Sequence, residues 1–156
     1  MADVKADMLL LPGEGQGPRY RDITDPNGLV TWLEPAPAQA PPGAIRYACL
    51  GVIGDIAPAP YIYTVELEIA EADLPAIFEW YEGEHLPMLC AVPSTRGGAR
   101  YQRLDNGPFN LLAGYRFDHS GVPETDAWIA ARSTAWTDRV RPLFRSSRRF
   151  IRKLEA

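Results

Sequence analysis

The chain has 156 residues, 46% of them hydrophobic and 23% charged, with 16 basic against 20 acidic side chains. That length and balance suit a folded domain with a proper core and exclude a disordered chain. The formal net charge of −4 also argues against a nucleic-acid partner, which calls for a clustered basic surface. Two cysteines, Cys49 and Cys90, lie among apolar neighbours and read as small core residues rather than a disulfide framework or metal motif. The apolar run at 8–11 is far shorter than a signal peptide or membrane span, so a cytoplasmic protein without a membrane partner is expected.

Prolines divide the chain unequally. Nine of the fifteen fall in the first 60 residues. Residues 34–43 read as an exposed, extended linker, because proline fixes φ and removes a donor. Before that linker, residues 8–11 suit a short strand. Asp25-Pro26 suits the start of a short helix running to Leu33, with Asp as cap and Pro in the first turn. Gly13-Glu14-Gly15-Gln16-Gly17 has the glycines of a phosphate loop, but Pro18 and Arg19 follow where a helix should start, so it reads as a flexible turn. Residues 44–53 suit another strand. With no long 3.6-residue period, residues 1–60 are expected to form an arm with one or two added strands, packed on a main domain at 61–156.

From Tyr61 the periodicities sharpen. Tyr61, Tyr63, Val65, Leu67 and Ile69 alternate with Ile62, Thr64, Glu66 and Glu68, which predicts a strand with one apolar face. A helix starting near Asp73 puts Leu74, Ile77, Tyr81 and His85 on one stripe, and Pro93 stops it. Residues 96–104 and 109–119 suit strands joined by the turn Asp105-Asn106-Gly107-Pro108. Thr125 or Asp126 caps a second helix carrying Trp128, Ile129, Trp136, Val140 and Leu143. Residues 147–154 suit a basic strand with Phe150 and Leu154 on one face and Arg149, Ile151 and Lys153 on the other. This order predicts an α+β fold, a ferredoxin-like split βαβ domain with a Pro-rich N-terminal extension, an antiparallel sheet and both helices on one side. The bare sheet face must be covered, which predicts a homodimer, with the N-terminal arm as the competing cover.

His85 is one of two histidines, set in Trp80-Tyr81-Glu82-Gly83-Glu84-His85-Leu86-Pro87. An imidazole titrates near pH ~6.5, so it suits general acid–base work. Tyr81 lies one turn earlier and can share its site, whereas Glu84 points about 100° away, and Glu82 and Glu84 read as a solvated face. His119 ends a strand ahead of Ser-Gly, a placement that also fits a turn residue. Arg100 and Tyr101 occupy opposite strand faces, and a buried Arg100 needs an anionic partner, Glu66 or Glu68 or a ligand. The seven basic residues between Arg139 and Lys153 read as a helix end and a charge-protected edge strand, with anionic-ligand binding as the minority reading. No histidine–carboxylate spacing suggests a metal, and no motif suggests a cofactor.

Residues 78–87 and Val92-Pro93-Ser94-Thr95-Arg96-Gly97-Gly98-Ala99-Arg100-Tyr101 resemble the dimeric α+β barrel superfamily, and within it the EthD-like proteins, over about residues 61–154. Similar proteins include polyketide cyclases, small-ring isomerases, decarboxylases and cofactor-free monooxygenases. The resemblance implies a cofactor-independent homodimeric enzyme acting on a small, apolar, aromatic or polyketide-like carbonyl compound. Its chemistry would be cyclisation, isomerisation, lyase action or decarboxylation. The alternatives are cofactor-free oxygenation of a phenol and a non-catalytic ligand-binding dimer. His85 and Tyr81 are the expected catalytic pair, with Tyr61, Tyr63, Arg100, Tyr115, Phe117 and His119 as substrate-binding residues in a pocket between the sheet and the first helix. The superfamily also leaves open His85 as an axial haem ligand.

Overall fold

The computed structural model describes residues 6–156. Eight strands run as Met8–Pro12 (β1), Arg19–Asp22 (β2), Leu29–Leu33 (β3), Ile45–Gly54 (β4), Tyr61–Ile69 (β5), Thr95–Arg103 (β6), Leu111–Phe117 (β7) and Phe144–Leu154 (β8). The helices are Leu74–Trp80 (α1), Leu86–Cys90 (α2), Asp126–Arg132 (α3) and Ala135–Val140 (α4). None of the described helices is long and apolar enough to cross a membrane.

All strand pairs are antiparallel, and the sheet closes on itself in the order β1-β3-β2-β8-β5-β7-β6-β4. Half of that ring, β8-β5-β7-β6, is the ferredoxin-like unit expected after Tyr61, with its helices on the outer face. The other half, β4-β1-β3-β2, repeats the same strand order without helices. Residues 6–60 therefore contribute four strands where one or two were expected. The short helix expected up to Leu33 is strand β3: a turn at Asp22–Gly28, closed by the Asp22 amide donating to the Gly28 carbonyl, connects it to β2. Leu29, Val30 and Trp32 suit a strand better than a helix once two neighbours are there to pair with.

Alternation sorts the side chains into two cores. Tyr63, Leu67, Ile69, Ala113, Tyr115 and Phe117 face outward and bury against the helices. Ile62, Leu112, Ala99, Tyr101, Met8, Leu10, Tyr20, Val30, Trp32 and Tyr47 fill the barrel. The sheet face opposite the helices is thus covered within the chain by β1–β4, the N-terminal segment named above as the competing cover to a second copy. On the helix-free half, loops replace helices as the outer cover. The glycine-rich segment lies flat there: a Cβ on Gly15 would come within 2.6 Å of Leu11 Cδ2, and one on Gly17 within 2.6 Å of Leu33 Cδ2. It is a packed cover that depends on missing side chains, not a free turn. Strand β8 is likewise no edge, since it pairs with both β2 and β5.

The barrel interior is also charged. The Glu34 carboxylate accepts hydrogen bonds from Arg116 (2.8 Å), Tyr101 (2.7 Å) and Trp32 (3.0 Å). Arg116 is only 2% exposed, and it also donates to the Gly114 carbonyl. Glu34 opens the segment expected to be a solvated linker, yet it ties β3 to β6 and β7 across the barrel. Glu34→Ala should leave Arg116 buried without its carboxylate and lower the unfolding free energy by about 3–5 kcal/mol. Urea denaturation measures this, and adding Arg116→Met in the same chain should restore part of the loss.

Candidate functional site

The first helical segment is not one regular helix. A tight turn at Glu71–Asp73 leads into α1, residues Tyr81–His85 widen into a π turn, and α2 follows. In the π turn the Leu86 N–H donates to the Tyr81 carbonyl, five residues back. Pro87 comes next, and its ring would crowd the carbonyl four residues back in an α register. The change of register just before it relieves that clash. His85 therefore lies inside a helical segment that runs on to Cys90, short of Pro93, where the helix was expected to stop.

The wide turn decides where the imidazole goes. In an α-helix, positions five apart point about 140° away from each other. Here Trp80 and His85 stack, with ring centroids 3.9 Å apart and planes 22° from parallel. Tyr81 packs against both, at 4.7 Å from Trp80 and 5.5 Å from His85. Helix α4 holds this group in place. Its cap Thr134 accepts from the Thr137 amide and donates to Glu84 Oε2 (2.7 Å), while Thr137 Oγ1 accepts from Trp80 Nε1 (3.2 Å). Gly83 lets the Trp136 ring close in, since a Cβ there would lie 2.7 Å from Trp136 Cη2. Functional helices often carry such π turns.

Beside this group, between the outer face of β5 and β8 and the helices, is a cavity of about 590 Å³. Tyr63, Trp80, Tyr81, Trp128 and Phe144 supply aromatic walls, and His85 and Thr137 supply polar atoms. Arg132, Arg141 and Arg149 complete the lining, which contains no carboxylate. Burial, reinforced by the positive charges of Arg141 and Arg149, lowers the His85 pKa to about 3. The imidazole is neutral at physiological pH, and its Nδ1 is enclosed without a hydrogen-bond partner. Burial also raises the Tyr81 phenol well above its ordinary range, so its hydroxyl serves as a donor and not as a base.

Of the residues singled out from sequence, His85, Tyr81 and Tyr63 meet at the cavity. Tyr115 and Phe117 stand one layer behind, edge-on to the Trp128 ring at 5.2 Å each. Tyr61 packs at the border of the same core. Arg100 points outward as a buried side chain and pairs with Glu82 at 2.6 Å, not with Glu66 or Glu68 across the sheet. Glu82 is therefore not a free surface charge, because α1 and the π turn bring it over β6. Glu66, buried in β5, instead pairs with the solvent-exposed Arg148 of the neighbouring β8. Tyr101 faces the barrel with Glu34. His119 is exposed in a turn and its Nδ1 accepts from the Gly121 amide at 3.1 Å, away from the cavity. Arg132 and Thr137 were missed, and Arg141 stood only within the basic run, whose anionic-ligand reading was the minority one. Arg149 was legible: it shares a strand face with Ile151, and a β8 lying beside β5 turns that face toward the helices.

Haem ligation does not fit well. A ligating histidine ordinarily has its other ring nitrogen fixed by a carboxylate or carbonyl, and His85 Nδ1 has no such partner. Among the described residues no group of histidine, cysteine and carboxylate side chains could hold a metal ion.

The lowered His85 pKa gives a pH dependence with a definite sign. Between about pH 6.5 and about 3 the unfolded chain protonates His85 while the folded chain does not, so stability falls as pH falls through that window. His85→Gln should remove this part of the acid sensitivity. Urea midpoints of variant and parent should therefore converge, or cross in the variant's favour, from about pH 7 to about pH 4.5.

No protein-family model and no curated protein matches the chain. Solved structures do. An uncharacterized ferredoxin-fold protein from Listeria monocytogenes, related to antibiotic biosynthesis monooxygenases, superposes with a TM-score of 0.69 at 10% identity, covering 97% of this chain and 96% of its own. A heme-degrading enzyme from Listeria monocytogenes gives 0.66 at 10% identity, with 95% and 99% coverage. Dimeric chlorite dismutases from Nitrobacter winogradskyi give 0.59 at 12%, with 96% and 99% coverage. At these identities the likeness shows the fold alone: the ferredoxin-like α+β barrel, with both halves of the ring contained in one chain.

Proposed function

We propose that the chain is a cofactor-independent enzyme that takes a proton from a small aromatic or polyketide-like carbonyl compound or phenol bound in the cavity beside β5 and β8. The observation that carries this reading is a neutral imidazole on an aromatic-walled cavity whose only charged lining residues are arginines. A concave site with aromatic walls and a few convergent polar groups is the usual form of a small-molecule pocket.

In this mechanism the ring of the substrate packs among Tyr63, Trp80 and Trp128, and His85 receives the proton. The bond broken is C–H next to a carbonyl, or O–H of a phenol. The electron pair stays on the substrate as an enolate or phenolate. The arginine charges that make His85 hard to protonate also stabilise that anion, so they lower the acidity barrier on the substrate side. Tyr81, held protonated, is suited to donate to the substrate oxygen. Return of the proton to another carbon gives isomerisation, and attack of the enolate on a second carbonyl gives cyclisation. The EthD-like motif at residues 78–87 supports this reading.

A second reading starts from the same anion. An electron-rich phenolate or enolate can react with molecular oxygen, and a structural neighbour related to antibiotic biosynthesis monooxygenases favours this route. Every cavity residue comes from β5–β8 and their helices, so one chain suffices for the site; a homodimer would join outer surfaces.

Deuterium incorporation into an enolisable aryl ketone such as 2-tetralone in D₂O tests the shared step. The parent protein should accelerate exchange, and His85→Gln should lose roughly 10²–10⁴-fold of that acceleration while keeping its fold by circular dichroism. Equal exchange by the folded variant would sink the role of His85. Oxygen uptake with anthrone or a naphthol separates oxygenation from isomerisation.

A further inference from the structure

Arg132 ends α3, Arg141 follows α4 and Arg149 lies in β8, so three separate elements bring their guanidinium groups to one cavity. Among the described residues, seven arginines hold a carboxylate within 4.0 Å: Arg19, Arg21, Arg96, Arg100, Arg103, Arg116 and Arg148. None of the three at the cavity does, although the chain carries more acidic than basic residues. Their charges reach the same interior: Arg141 and Arg149 both act on His85, and Arg149 and Arg132 both act on Tyr63.

Although all three side chains are solvent-exposed, gathering them around one concave space focuses a positive field into it. Neighbouring carboxylates would ordinarily offset that field, and this lining has none. The aromatic walls accept a flat ring system, while a planar guanidinium matches a carboxylate through paired N–H donors.

We propose that the ligand of this cavity is an aromatic or polyketide-like carboxylate, and that Arg132, Arg141 and Arg149 are the residues that select its anionic group. This rests on the reading of the cavity as the substrate site and narrows its substrate class. The ring system lies against Trp80 and Trp128, and the carboxylate sits toward β8, where Arg149 and Ser147 line the opening. The arginines thereby set specificity and orientation, and His85 remains the proton acceptor.

Quenching of tryptophan fluorescence by anthraquinone-2-carboxylate and by its uncharged carboxamide tests the assignment, because Trp80 and Trp128 line the cavity. The carboxylate should bind at least about tenfold more tightly than the carboxamide at low salt, and that advantage should shrink as salt is raised. Arg149→Gln and Arg141→Gln should each cut the advantage several-fold and leave carboxamide affinity nearly unchanged. Equal binding of the two probes, or an advantage that survives both arginine substitutions, overturns the carboxylate assignment while the aromatic site stands. Failure of both probes to bind overturns the cavity reading itself, and this inference with it.

Discussion

One carboxylate ties the two halves of this protein across the barrel interior, between the β4–β6 and β2–β8 ladders that join them at the seams. Glu34 leaves the end of β3 and reaches into the barrel, where Trp32, Tyr101 and Arg116 all donate to it. A guanidinium as buried as that of Arg116 is tolerable only with a charge partner and further hydrogen bonds. The partner comes from the helix-free half and the cation from the helix-bearing half, so the interaction exists only when the ring is closed. Closure in turn fixes which face of β5–β8 is left for the helices, and with it the place of the cavity.

The site owes its form to a second constraint, the register of one helical segment. Pro87 disfavours an α turn around residues 83–87, and the chain widens there. Widening stacks His85 on Trp80, which Thr137 anchors from α4. The imidazole is thus positioned by ring packing rather than by the hydrogen-bonded carboxylate common behind catalytic histidines. Such a ring keeps no fixed charge partner. Its low basicity comes first from burial and then from Arg141 and Arg149, the same arginines that would stabilise a substrate anion in the proposed mechanism.

Much of the second half was legible in the sequence because its elements are local. The alternation from Tyr61 to Ile69, the cap at Thr125 and the turn at 105–108 depend on neighbours a few residues away and lie where those signals put them. The single helix expected to carry Trp128 through Leu143, however, breaks at Ser133–Thr134 into α3 and α4. The pocket between sheet and helix, with His85, Tyr81 and Tyr63 on it, follows from the same alternation. Arg149 was within reach for the same reason, but a basic strand reads as a protected edge until a second neighbour for it is known. The first half was not legible in this way. Strands β2 and β3 are only 4 and 5 residues long and carry no helical or clear two-residue period. Asp25-Pro26 imitates a helix start, and only pairing with β1 and β2 makes Leu29–Leu33 a strand.

By itself, then, the sequence determined the ferredoxin-like unit, because that rests on short-range periodicity, whereas the aim of His85 was set by the π turn that departs from it. Tertiary structure alone decided that four N-terminal strands complete the barrel within one chain. It also decided that Glu34 turns into the barrel to meet Arg116, that Arg100 takes Glu82, and that His119 only caps a turn. These outcomes depend on which residues far apart in the chain meet, and on desolvation once they do. Neither quantity is written in the spacing of residues along a strand or helix.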